Sequence, residues 1–109
     1  MRRFGQLLGL DRARVDEYSR AHARIWPEIE SAIRAAGIRN YSIFLRDGLL
    51  FGYYEYHGPD AEYDARMRAL AAAPRMREWW DWMESMQIPA AHRADGEWWA
   101  EMREVFHQD

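Results

Sequence analysis

Ile38-Arg39-Asn40-Tyr41-Ser42-Ile43-Phe44-Leu45 and Leu49-Leu50-Phe51-Gly52-Tyr53-Tyr54-Glu55-Tyr56 are two runs dense in Ile, Leu, Phe and Tyr, with only Arg46-Asp47-Gly48 between them. Side chains of these kinds suit a pleated, half-buried surface, and Asp-Gly readily adopts the backbone of a tight hairpin turn. The pair reads as two antiparallel strands, and the flanking segments are placed by reference to it. Upstream, Phe4 to Leu10 reads as a strand. From Asp11, a candidate cap, the spacing of Val15, Tyr18, His22, Ile25, Trp26, Ile29 and Ile33 is helical and stops at Gly37. Pro27 lacks an N–H and pushes Trp26 out of the α region, so two helical pieces with a break at Trp26 are expected, His22 falling in the last turn of the first.

Downstream, Pro59-Asp60 opens a helix through Ala72 with Tyr63, Met67 and Leu70 at helical spacing. Pro74 starts another, in which Met76, Trp79, Trp80 and Met83 share a face. Ile88 to Gly96 reads as a loop, and Trp98 to His107 ends in Arg103-Glu104-Val105-Phe106-His107, the expected last strand. Strand, helix, strand, strand, helices, strand is the β-α-β-β-α-β order of a ferredoxin-like α+β sandwich, with helices on one face of an antiparallel sheet. No repeat, linker or low-complexity tract interrupts it, so residues 1–109 are expected to form one domain. Such a fold does not by itself decide a function.

The chain has 109 residues, 49 % of them hydrophobic, enough for a small core in which oligomerisation would add burial. Eighteen acids and 15 bases are spread along it, without the basic block that tracks a phosphate backbone, so nucleic acid is not an expected partner. Every base is arginine, which removes Schiff-base chemistry, and the absence of cysteine removes disulfides and thiolate catalysis. Arg2-Arg3-Phe4 precedes an apolar stretch, Leu7 to Leu10, too short for a signal segment, and nothing approaches a membrane span. A cytoplasmic location is expected.

Tyr18 and His22 lie one helical turn apart on the same face, with the break at Trp26 just beyond. A lone histidine on an apolar stripe is more often a core residue than a catalyst. Here a helix C-terminus favours imidazolium while burial opposes it, which keeps the group near the range useful for acid-base work. Tyr41, on the second strand, can face that helix. Trp79 and Trp80, about 100 degrees apart on their helix, border one cavity if the helix lies beside it. Indole offers a flat surface for the C–H face of a sugar and one N–H for its hydroxyls, and six tryptophans in so short a chain favour a carbohydrate site. His57, His92 and His107 lack ligand spacing, so no metal site is expected. Glu28, Glu30, Glu55 and Glu62 read as solvated or capping charges, with Glu28 or Glu55 as alternative acceptors for a sugar hydroxyl.

Glu17-Tyr18 through His22, Ile25-Trp26-Pro27-Glu28, Asn40-Tyr41-Ser42-Ile43, Trp79-Trp80-Asp81-Trp82-Met83 and Glu104-Val105-Phe106 together resemble the L-rhamnose mutarotases, in order and spacing and nearly end to end. The resemblance implies a ferredoxin-like homodimer of the dimeric α+β barrel type. It also implies interconversion of the α and β anomers of L-rhamnose through the open-chain aldehyde, without a cofactor. It places His22 at the family's proton donor, and Tyr18, Tyr41, Trp79 and Trp80 at its sugar-binding positions. The chain departs from the pattern after Met83, in the loop through Gly96 and in Trp98-Trp99, so another deoxyhexose such as L-fucose is an alternative substrate. A haem-degrading or quinone-forming monooxygenase of the same architecture is the alternative from another class. The expected mechanism has His22, as imidazolium, protonating the ring oxygen, with the base unassigned.

Overall fold

A computed structural model describes Met1–Asp109. Strand β1 (Arg2–Leu10) leads through a short 3-10 turn at Arg12–Arg14 into α1 (Val15–Ala23) and α2 (Pro27–Ala35), then into the hairpin β2 (Ile38–Arg46) and β3 (Leu49–Tyr56). A second 3-10 turn at Asp60–Glu62 opens α3 (Tyr63–Ala72), followed by α4 (Pro74–Glu84), β4 (Gln87–Ile88) and β5 (Ala100–Met102). The antiparallel sheet runs β2-β3-β1-β4, with β5 also on β1, which is ferredoxin-like topology. No helix is long and apolar enough to cross a membrane.

The expected local signals have the expected consequences. Asp47 and Gly48 take φ of 53° and 78° in the hairpin turn, and Arg12 clamps the turn through Asp47 at 2.8 Å. Asp11 caps the first turn by accepting from the Ala13 N–H. Trp26 is extended (ψ 131°) and Pro27 begins α2, so the α1–α2 break falls where the proline dictates.

Leu8 and Leu10 of β1 and Leu50 of β3 point under the helices, where Tyr18, Ile29, Leu70, Met76, Trp79 and Met83 meet them, while Phe4 and Tyr56 are buried against Tyr63. The other sheet face stays open, with Phe44, Leu49 and Phe51 exposed. In β2, Arg39 faces Glu55 but Ser42 faces Tyr53, so one residue is bulged out. Asn40 carries the bulge at φ 52°, a region asparagine tolerates, and its amide donates to Glu55 at 2.9 Å. Because of it, Ile38 before the bulge and Tyr41 and Ile43 after it all face the helices.

The C-terminal edge differs from expectation in two places. Ile88, expected to begin the loop, instead joins Gln87 in pairing with Gly9 and Leu10, so the loop spans residues 89–99. The last strand is Ala100–Met102, not Arg103–His107. Past Met102 the ladder gives way to a side-chain ion pair, Arg3–Glu104 at 3.0 Å, leaving Val105 and Phe106 86 % and 78 % exposed.

Candidate active site

The long face of α1 lies over the sheet, and Tyr18 and His22, one turn apart on it, open into a cleft between α1, α4 and the inner face of β1–β3. The cleft has two lobes of about 460 and 380 Å³, each within the roughly 300–1,000 Å³ of small-molecule sites. All five residues expected from the sequence, Tyr18, His22, Tyr41, Trp79 and Trp80, line both lobes and so stand at their junction.

The His22 ring packs against Tyr18 (centroids 4.4 Å apart) and edge-on to Trp79 (5.4 Å). Its Nδ1 lies 2.9 Å from the Tyr18 carbonyl oxygen. A carbonyl can only accept, so Nδ1 carries the proton and a neutral ring leaves Nε2 as a lone pair. Nε2 has no hydrogen bond within the protein, and no buried side-chain nitrogen or oxygen in the chain lacks a partner, so it is accessible from the cleft. Burial pushes the imidazole below its ordinary pKa, and the Tyr18 carbonyl offsets this only in part. At neutral pH the resting group is therefore imidazole, and the imidazolium of the expected mechanism must form by taking up a proton.

Tyr18 is 5 % exposed, and its hydroxyl accepts a hydrogen bond from Gln87 Nε2 at 3.0 Å. Burial raises its pKa, with Gln87 working the other way. Tyr41 is 38 % exposed as a whole residue, yet desolvation and the neighbouring Tyr18 raise its pKa while Gln6 opposes, so its hydroxyl also stays protonated. Both phenols are donors and weak bases at neutral pH. Trp79 is 5 % exposed and meets Trp26 and Trp82 edge-on, so it serves the core as well as the wall. Trp80 is only half-buried, with Arg77 5.9 Å from its ring.

Several lining residues escaped the sequence reading. Gln6 had a legible signal, being the polar member of the inward series Phe4, Gln6, Leu8, Leu10 on β1. Bare Gly52 opposite it leaves room for Gln6 and Trp99 to lie over the sheet; a Cβ there would meet them at 3.3 and 3.4 Å. Glu84 also lines the larger lobe, and burial raises its pKa. Gln87 and Trp98 sit at the two ends of the 89–99 loop, a juxtaposition no spacing rule announces. Glu28 and Glu55 are not in the wall: Glu28 pairs with Arg75 at 2.8 Å, and Glu55 accepts from Asn40, Tyr53 and His57. No three His, Asp or Glu side chains converge as a ligand set. The cleft thus combines aromatic and apolar walls, neutral hydroxyls and amides, and one accessible imidazole lone pair, a setting for proton transfer on a neutral polyol.

A family model described as L-rhamnose mutarotase matches residues 3–108. An L-rhamnose mutarotase of Lactiplantibacillus plantarum is 33 % identical over 111 residues, covering all of both chains. One of Opitutus terrae is 38 % identical over 95 residues, 85 % of each. Among solved structures, an L-rhamnose mutarotase from Formosa agariphila superposes with a TM-score of 0.77 at 22 % identity, and tetracenomycin F2 cyclase from Streptomyces glaucescens with 0.69 at 18 %, both over the full length of each chain. At those identities the two structures speak to the fold alone.

Proposed function

The chain belongs to the L-rhamnose mutarotase family, a group of carbohydrate isomerases, and we propose that His22 is the group that moves the proton when this protein interconverts the α and β anomers of L-rhamnose. The observation that carries this reading is the tautomer: Nδ1–H spent on the Tyr18 carbonyl, Nε2 accessible from the cleft. Neutral His22 Nε2 takes the proton of the anomeric hydroxyl. The O–H electron pair becomes the aldehyde C=O, the bond from C1 to the ring oxygen breaks, and its pair stays on that oxygen. The imidazolium so formed then protonates the ring oxygen, the donor role that the resemblance assigns. Rotation about C1–C2 and the reverse steps on the other carbonyl face give the second anomer, and no net proton is consumed. Assisting both oxygens from one site avoids a full charge on either, a gain of about 10²–10⁴ in rate.

Tyr18 and Tyr41 would hold sugar oxygens, and Trp79 and Trp80 the ring face, since indole pairs an apolar plane with one donor. We treat residues 1–109 as one mutarotase domain, cytoplasmic, and homodimeric through the open sheet face, where Phe44 stacks on Phe51 at 6.3 Å. Saturation-transfer NMR on the anomeric protons of L-rhamnose, run beside L-fucose, tests the reading. Faster exchange with wild type, lost in a folded His22→Asn variant, supports it, and the better sugar names the substrate. Exchange unchanged by wild type refutes it.

A further inference from the structure

Trp98 Nε1 donates to Gln87 Oε1 at 2.8 Å, and Gln87 Nε2 donates to the Tyr18 hydroxyl at 3.0 Å. The first contact decides the second. An indole N–H is a donor and nothing else, so the Gln87 oxygen must face it, which turns the amide NH₂ towards Tyr18. The Tyr18 oxygen is thereby an acceptor from Gln87, and its own proton must go elsewhere. No protein acceptor takes it: the hydroxyl's one hydrogen bond within the protein is the one it accepts from Gln87. The unclaimed direction is the cleft that Tyr18 lines.

We infer that Trp98 and Gln87 are positioning residues that polarise the Tyr18 hydroxyl into an obligate hydrogen-bond donor aimed at a sugar oxygen. This rests on the mutarotase reading and deepens it. Ring opening builds partial negative charge on the ring oxygen ahead of its proton, and a donor held on that oxygen stabilises the transition state more than the ground state. Tyr18 supplies that donor without transferring its proton, while His22 moves the proton. The relay crosses the base of the 89–99 loop, so the loop's role is to deliver an indole N–H to Gln87.

Gln87→Glu tests the relay by reversing it. A carboxylate accepts from both neighbours, so it keeps the Trp98 bond but draws the Tyr18 proton away from the cleft and presents a lone pair to the sugar. Gln87→Leu removes both bonds and leaves the hydroxyl free to rotate. A structural role predicts that Leu, which loses both contacts, is the more damaging; the relay predicts the opposite order. Turnover at saturating sugar should fall about 100-fold in Gln87→Glu, as for loss of one oxyanion donor, and less than about 10-fold in Gln87→Leu. Tyr18→Phe should match Gln87→Glu, and the double variant should be no worse than either alone, which separates hydroxyl reversal from a general effect of the added charge on His22. Trp98→Phe, which frees the amide to flip, should resemble Gln87→Leu. With an active wild type, Leu as damaging as Glu, or losses that add in the double variant, overturn the inference while leaving the parent reading standing. An inactive wild type overturns both.

Discussion

Gly9 faces Ile88 and Leu7 faces Ala100, so two steps along β1 are matched by twelve along the edge strand, ten more than an unbroken ladder takes. Excising the ten residues Pro89 to Trp98 would join Ile88 to Trp99, and Trp99 would then fall opposite Leu8 in register. The energy terms nearly cancel. Removing a ten-residue loop returns about 2 kcal/mol of closure entropy. Losing half-buried Trp98 costs about half the roughly 3–5 kcal/mol of a fully buried tryptophan, and the lost indole bond about 1 kcal/mol more. The excised chain should therefore fold, with stability within about 2 kcal/mol of wild type by urea denaturation. Function should not escape as lightly. An aromatic wall contact is worth about 0.5–1.5 kcal/mol, or roughly 2- to 12-fold in sugar concentration at half-saturation, read by exchange NMR, and loss of the indole frees Gln87. Failure of the excised chain to fold would refute the register argument. Wild-type saturation in a folded excised chain would refute the placement of the loop as wall.

His22→Asn should lower turnover by about 10²–10⁴ with native near-ultraviolet circular dichroism, the range for acid-base help. Because burial depresses the His22 pKa, kcat/KM should hold its plateau below the ordinary value of 6.5 before falling with acid. The same shift acts on stability: below 6.5 the unfolded chain binds the proton first, so folding weakens as pH falls towards the folded pKa, and this limb should vanish from urea midpoints of His22→Asn. Glu55, held at about 2 by His57, Asn40 and Tyr53, contributes stability that is present above its ordinary 4.5 and lost as pH falls through about 2; Glu55→Gln should flatten that lower limb. Trp79→Ala should cost about 3–5 kcal/mol, because the ring is nearly sealed by Trp26, Trp82 and His22; a loss under about 1 kcal/mol would deny it a place in the core.

Local chemistry made much of this legible. Asp47-Gly48 and Pro27 each enforce a backbone geometry within a few residues, and the hairpin and the helix break followed. Tyr18 and His22 were found together because helical spacing is itself a statement about proximity. Tyr41, Trp79 and Trp80 came through family resemblance and residue chemistry, and the packing of α4 beside the cleft brings them to the same junction. What stayed hidden depends on contacts between remote segments. The short β4 is held by two partners on β1, not by any alternation of its own. Arg103 to His107 looks strand-like by composition, but Arg3 engages Glu104 through side chains instead. The charge state of His22 required knowing how deeply the ring is sealed, and the Trp98–Gln87–Tyr18 relay spans 80 residues of chain.

The extra residue at Asn40 works like a frameshift in the strand's alternation. Ahead of it even-numbered side chains look inward; beyond it odd-numbered ones do. The pairing itself does not shift: with that residue excised, Arg39 would still meet Glu55, Tyr41 would meet Tyr54, and Ser42 would still meet Tyr53. Tyr41, Ile43 and Leu45 would go on facing the helices, and Ser42, Phe44 and Arg46 the open face, in an unbroken alternation. Strand β2 therefore carries one spare residue, whose loss would cost the Asn40–Glu55 contact and the local bend but not the inward set, whereas a change of length between the bulge and the turn would turn that set over.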